Sequence, residues 1–140
     1  MCKYQKRNKP DKRNGIYYED YTMYIPANPE LLESYKLFYI NNKKVIPTEL
    51  FSDFTKVSLA FMYMDDGSKV GKHGYCIATN CFSLNELSMF KKMLKDKFDL
   101  DTTIQKRHIL YIKTNSQKLF EHLIKPYLCD CMKYKLHCVS

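Results

Sequence analysis

The chain has 140 residues, 23 Lys or Arg against 15 Asp or Glu, and a net charge of +8. That length gives one domain, or one domain and part of another, and 45% hydrophobic residues are enough for a real core. No apolar run approaches a membrane-spanning helix, so no membrane partner is expected. The basic balance points to a polyanion, most often nucleic acid, although abundant Lys, Asn, Tyr and Ile would also follow from AT-rich coding. Six cysteines (2, 76, 81, 129, 131 and 138) without a signal-peptide pattern read as reduced thiols of an intracellular protein.

Residues 1–14 carry Lys3, Lys6, Arg7, Lys9, Lys12 and Arg13 against Asp11 alone. They read as a basic arm, a loop over phosphates or a solvated tail. Tyr- and Thr-rich residues 16–25 predict one or two strands, ended by Pro26. Asn28 followed by Pro29 opens a helix with Leu31, Leu32, Tyr35, Phe38 and Tyr39 on one face. Asn41-Asn-Lys-Lys44 is a polar break, and residues 45–54 lead into the stretch around which the rest is organised.

Thr55 caps a helix that is apolar on all sides from Leu59 to Met64 and ends in Asp65 and Asp66. Gly67 fits the left-handed position that ends a helix. Acids at a helix C-terminus oppose its dipole, so a divalent metal is the first explanation for the pair. Strands are predicted at 68–70 and 75–80 around a Gly-containing turn. Ser83-Leu-Asn-Glu86 is a capping box, and its helix carries Leu87, Phe90, Leu94 and Phe98. Residues 102–106 and 109–113 form a hairpin around Arg107-His108, with His108 expected at the surface. Ser116 opens a last helix with Leu119, Phe120, Leu123 and Ile124, stopped near Pro126.

Residues 24–39 echo residues 111–127: Tyr24-Ile25 matches Tyr111-Ile112, Asn28 matches Asn115, and Leu31-Leu32-Glu33 matches Leu119-Phe120-Glu121. Both copies read as strand, Asn cap, amphipathic helix and basic exit. Residues 1–50 therefore resemble the end of a first unit, and residues 51–140 form a second.

Leu59-Ala-Phe-Met-Tyr-Met-Asp-Asp-Gly67 resembles the LAGLIDADG motif, most closely the second motif of two-repeat, intron-encoded homing endonucleases. Asn42-Lys-Lys-Val-Ile-Pro47, Gly74-Tyr-Cys-Ile-Ala-Thr-Asn-Cys-Phe82 and Leu123-Ile-Lys-Pro-Tyr-Leu128 with Tyr134-Lys-Leu136 resemble other segments of that family, in order. The resemblance implies an α+β fold of α-β-β-α-β-β-α units, two per active molecule, with a mainly antiparallel sheet on double-stranded DNA. It implies motif helices packed against each other, helped by the small Ala60. Asp66 matches the family's metal-binding acid, with Asp65 a lesser ligand, for Mg2+ or Mn2+. Lys44 and Lys135 match basic positions near the cleavage centre. A second LAGLIDADG unit is the implied partner, and host-intron RNA is the partner in the family's maturases. The expected location is a bacterial or phage-infected cytoplasm, or an organelle matrix.

Lys69, Lys72, His73, Tyr75, Gln105, Arg107, Tyr111 and Lys113 lie on or beside the predicted hairpins and are candidate DNA contacts; alternation leaves open which face DNA. Cys129, Cys131, His137 and Cys138 could ligate zinc, but their spacing is not a standard zinc pattern.

Overall fold

The structure is a computed structural model that describes residues 2–6, 9–24, 26, 28–72 and 74–137, without the side chains of residues 2–6 and 19–23. Two compact units are formed, Met1–Tyr35 and Lys36–Ser140. In the first, β1 (Cys2–Lys6) pairs antiparallel with β2 (Glu19–Met23), Cys2 opposite Met23. The basic stretch is therefore a strand and a built loop, not an arm. In the loop, Asp11 accepts Arg13 Nε at 3.0 Å and Nη2 at 2.8 Å. Gly15, at φ +71, donates its N–H to the Asp11 carbonyl at 2.8 Å. Charge pointed to solvation, but pairing with β2 gives the backbone of Cys2–Lys6 its hydrogen bonds. Asn28 Oδ1 accepts the Glu30 N–H at 3.0 Å and opens α1 (Pro29–Phe38), which buries none of its residues.

In the second unit the last residues of α1 lead into a minimal hairpin of β3 (Tyr39–Ile40) and β4 (Lys43–Lys44). Its turn residues Asn41 and Asn42 take φ +51 and +60, which asparagine tolerates. The sequence showed only a polar break there. Lys97 Nζ gathers the loop ahead of the next helix, donating to the carbonyls of Phe51, Ser52 and Phe54 at 2.8, 2.6 and 2.9 Å.

The remaining elements follow the predicted order: α2 (Lys56–Asp66), β5 (Gly67–Val70), β6 (Gly74–Ile77), α3 (Leu84–Phe98), β7 (Thr102–Gln105), β8 (Ile109–Ile112) and α4 (Gln117–Ile124). The tail makes 3₁₀ turns at Lys125–Tyr127 and Asp130–Lys135. The four strands β5 to β8 form one antiparallel sheet in the order β5-β6-β8-β7. One sheet face is sealed by helices: Tyr75, Ile77, Leu110 and Ile112 are buried with Leu59 and Tyr63 of α2, Phe90 and Leu94 of α3, and Phe120 and Ile124 of α4. The rings of Tyr63, Tyr75 and Phe120 meet at 5.1–5.8 Å between centroids. Burial, with Tyr75, Cys76 and Glu121 nearby, pushes the Tyr63 phenol's pKa up, so it remains a neutral donor.

Gly67 is not the left-handed cap expected. It is extended, with φ −87 and ψ 152, and pairs with Ile77 as the first residue of β5. α2 runs directly into the sheet, and glycine is needed for clearance: a Cβ there would collide with the ring and carbonyl oxygen of Tyr63.

The capping box of α3 reaches beyond its helix. Glu86 Oε2 accepts the Ser83 N–H at 2.8 Å, and Oε1 accepts the Ile46 N–H at 2.9 Å, tying β4's exit to α3. Burial alone would raise this carboxyl, but hydrogen bonds from Ser83 and the Ile46 amide hold it below its usual value. A depressed acid stabilises the fold above its unfolded-state pKa, and that contribution is lost as pH falls through the folded value. Glu86→Gln is expected to cost about 1 kcal/mol near neutrality, the usual worth of a cap. The difference from the unaltered chain should shrink on acidification below the carboxylate range, as read by urea midpoints across pH.

Candidate active site and nucleic-acid interface

The central helix is two-faced. Leu59, Ala60, Tyr63 and Met64 are buried within their own unit, whereas Phe61 is 60% and Val57 41% exposed. Ala60 therefore does not lie on the open face, contrary to expectation. The open face borders an apolar groove of about 770 Å³ lined by Phe54, Phe61, Met62, Met132, Asp65 and Asp66, among others. Lys44 borders the same groove, with its Nζ 5.8 Å from the centroid of the Phe82 ring. Lys44 and both acids thus line one groove.

Asp65 and Asp66 are exposed at the end of α2, and among the described residues neither carboxylate has an ion-pair or hydrogen-bond partner. The Asp66 carbonyl accepts the Ala78 N–H at 2.9 Å, which fastens the helix end to the sheet. Lys135 approaches from the tail. Its Nζ donates to the Met64 carbonyl at 2.6 Å, and its own carbonyl accepts the Tyr63 hydroxyl at 2.8 Å. An ammonium at the C-terminal carbonyls favours the helix dipole and offsets the two acids beside it. Lys135 here is first a cap on the acid-bearing helix, a role the sequence did not reveal.

No group of three or more His, Cys, Asp or Glu side chains arranged to hold a metal occurs among the described residues. This covers Cys129, Cys131 and His137 of the zinc candidate; Cys138 lies outside the described residues. His137 instead uses Nε2 on the Gly74 carbonyl at 2.9 Å. Asp65 and Asp66 offer hard oxygen ligands without a closed cage. That fits Mg2+, which keeps waters and takes substrate phosphate as ligands.

The other sheet face settles the alternation. Register places Ser68, Cys76, Tyr111 and Thr103 in one row across the four strands, opposite the buried row of Tyr75, Ile112 and Thr102. Tyr111 and Gln105 lie on this outer face, Gln105 exposed. Lys72, Arg107 and Lys113 are exposed at the sheet's turns and strand ends, while His73 lies outside the described residues. Tyr75 is a correction: it is 0% exposed, hydrogen-bonded to Glu121 Oε1, and accepts the His137 N–H at 2.9 Å. Lys69 stands opposite Tyr75, so it is on the helix-covered side of edge strand β5 although its side chain is exposed.

The β7–β8 turn holds what the sequence missed. Arg107 and His108 take φ +62 and +58, each a departure that costs a non-glycine residue about 1–3 kcal/mol unless its surroundings impose it. They do so here. Thr79 Oγ1 donates to the His108 carbonyl at 2.5 Å, Asn80 Nδ2 to the Arg107 carbonyl at 2.6 Å, and His108 Nδ1 meets the Phe82 carbonyl at 2.7 Å. His108 is thus half-buried and structural, not plain surface.

A helix-backed antiparallel sheet with one open face, and a helix ending in two exposed acids beside an apolar groove, make up one α-β-β-α-β-β-α unit. Residues 1–120 match the LAGLIDADG DNA endonuclease family, and the chain belongs to it. It is 38% identical over 109 residues to the cytochrome b mRNA maturase bI2 of Debaryomyces hansenii, covering 74% of this chain and 41% of that one. It is 40% identical over 108 residues to the intron-encoded endonuclease ai4 of Dictyostelium discoideum, covering 73% of this chain and 67% of the other. The structure of the homing endonuclease I-WcaI bound to its DNA recognition sequence superposes with a TM-score of 0.76 at 28% identity, over 99% of this chain and 65% of that chain. The fold is therefore that of a LAGLIDADG homing endonuclease, and the chain spans from 41% to 67% of these relatives' lengths.

Proposed function

We propose that the chain is part of a sequence-specific, metal-dependent DNA endonuclease: a second motif-bearing unit, preceded in residues 1–50 by the end of a first. The open end of α2 carries this reading, with Asp65 and Asp66 unpaired among the described residues and beside the groove. A bound Mg2+ or Mn2+ would supply Lewis-acid stabilisation of the phosphate and an activated water. Asp66, with Asp65 as the lesser ligand, would hold it. Lys44 would stabilise charge developing on the phosphate, and Lys135 would keep the helix end in place beside it. Gln105, Arg107 and Tyr111 on the outer face and its turn, with Lys72 and Lys113 at its ends, would meet double-stranded DNA, as a sheet in the major groove can. Lys69 would serve at most a phosphate at the sheet edge, and His73 adjoins the same β5–β6 turn in sequence.

Two acids on one helix do not complete a metal shell, and the face around Phe61 is apolar and exposed. A second LAGLIDADG helix would cover that face and bring its own acid. The order β1, β2, α1 repeats β7, β8, α4, which supports residues 1–50 as the end of such a unit. Exposed apolar surface of this kind drives association. The chain alone is expected to self-associate, and Phe61→Glu to shift it to monomer in sedimentation velocity; a monomer before substitution would remove the covering-helix argument.

Among the described residues no helix is long and apolar enough to cross a membrane. The proposed setting is the interior of a cell or an organelle matrix. Resemblance to maturase bI2 supports a second reading, host-intron RNA binding. Selection from a randomised duplex DNA pool by the full chain, with structured intron RNA as competitor, separates the two. Enrichment of one duplex sequence supports the endonuclease reading; retention of the RNA alone, without enrichment, contradicts it.

A further inference from the structure

Resting on the DNA reading above, we infer that Asn80 is a positioning residue for sequence recognition, acting on Arg107 through the Arg107 carbonyl. Two consecutive non-glycine residues in the left-handed region, Arg107 and His108, do not hold that shape without restraint. The restraint comes from outside the hairpin, from the segment between β6 and α3. Thr79 is fully buried and doubly engaged: its Oγ1 donates to the His108 carbonyl at 2.5 Å and accepts the Leu110 N–H at 3.1 Å. Phe82 holds the His108 ring through its carbonyl at 2.7 Å.

These two contacts fix His108. Asn80 alone among the three fixes Arg107 itself, at 2.6 Å. Asn80 is exposed, lies outside the adjoining β6 and α3, and is not the cap of α3, which is Ser83. Among the described residues its side chain therefore has one evident task, which is to set the backbone beneath the guanidinium. A guanidinium is a planar fork that reads a base edge only when its approach is fixed. Holding its backbone before DNA arrives removes ordering that would otherwise oppose the contact. Lys106, next in the same turn, can find a phosphate from many backbone positions and does not need such control.

The test uses the full chain and a randomised duplex DNA pool. Arg107→Ala first identifies the base positions that depend on Arg107. Asn80→Ala is then expected to relax those same positions, lowering discrimination there about tenfold, the scale of one good base-edge contact. Binding to unselected duplex and the thermal midpoint should stay near those of the unaltered chain. The double variant should be no less selective than Arg107→Ala alone, because the two residues act on one contact. An unchanged consensus for Asn80→Ala overturns the inference, as do additive losses in the double variant or an Arg107→Ala consensus identical to that of the unaltered chain. No enrichment by the unaltered chain overturns the DNA reading itself, and with it this inference.

Discussion

Asp66→Asn is expected to abolish metal-dependent cleavage while leaving DNA binding and folding intact. Asparagine keeps the size of the side chain and removes the charge a divalent ion needs. The ion's Lewis-acid contribution is several kcal/mol. At about 1.4 kcal/mol per decade, its loss corresponds to a fall of at least roughly a thousandfold in cleavage rate. Folding should be spared, because the Asp66 side chain is exposed and the helix end is tied to the sheet through the Asp66 carbonyl, which accepts the Ala78 N–H. Asp65→Asn should cost less, since Asp66 alone matches the position directly before the motif glycine. Measured together, cleavage rate and duplex affinity decide the matter: a fall in both to the same degree would make Asp66 a binding residue.

Gly67→Ala is the second large effect, and it falls on stability. The backbone of Gly67, at φ −87 and ψ 152, suits any residue, so no left-handed strain is involved. The added methyl meets the Tyr63 ring and, less avoidably, the Tyr63 carbonyl. Tyr63 cannot swing aside freely, because its ring is packed between Tyr75 and Phe120 and its hydroxyl holds the Lys135 carbonyl at 2.8 Å. Overpacking of this kind costs about 1–3 kcal/mol, and the backbone collision places this site at the upper end. A lowered urea midpoint with an unchanged slope is the expected readout. An alanine variant as stable as the parent would show that the helix end can move, and with it the acids.

Much of the second unit was legible because each element carried its own punctuation. Thr55 and Ser83 cap α2 and α3 as read, and the order of strands and helices from residue 55 onward is the predicted one. The start of the chain was misread because Lys3 and Lys6, at the head of a Lys- and Arg-rich stretch, look solvated, while the strand character of residues 2–6 depends on β2, thirteen or more residues away. Gly67 was given the commoner of two reasons for a glycine, conformation, where close approach is the actual one. Tyr75 and Lys69 could not be assigned to a sheet face until pairing fixed the phase, and pairing is a long-range property. Asn80, Thr79 and Lys135 were invisible as positioning groups. Their partners are backbone carbonyls 27, 29 and 71 residues away, and a backbone carbonyl leaves no mark in a sequence.

Central is the proposal that a metal site is divided between two helices, one of which is α2. Among the described residues Asp65 and Asp66 stand unpaired at its end, and Phe61 beside them is exposed. The most direct measurement is linearisation of a plasmid that carries the selected duplex sequence. The chain would be assayed alone and joined to a second motif-bearing unit, in Mg2+ and in EDTA. Linear product only with the second unit, only in Mg2+, and lost in Asp66→Asn is the predicted result. Linearisation by the monomeric chain alone, or by the joined protein in EDTA or with Asp66→Asn, would contradict it.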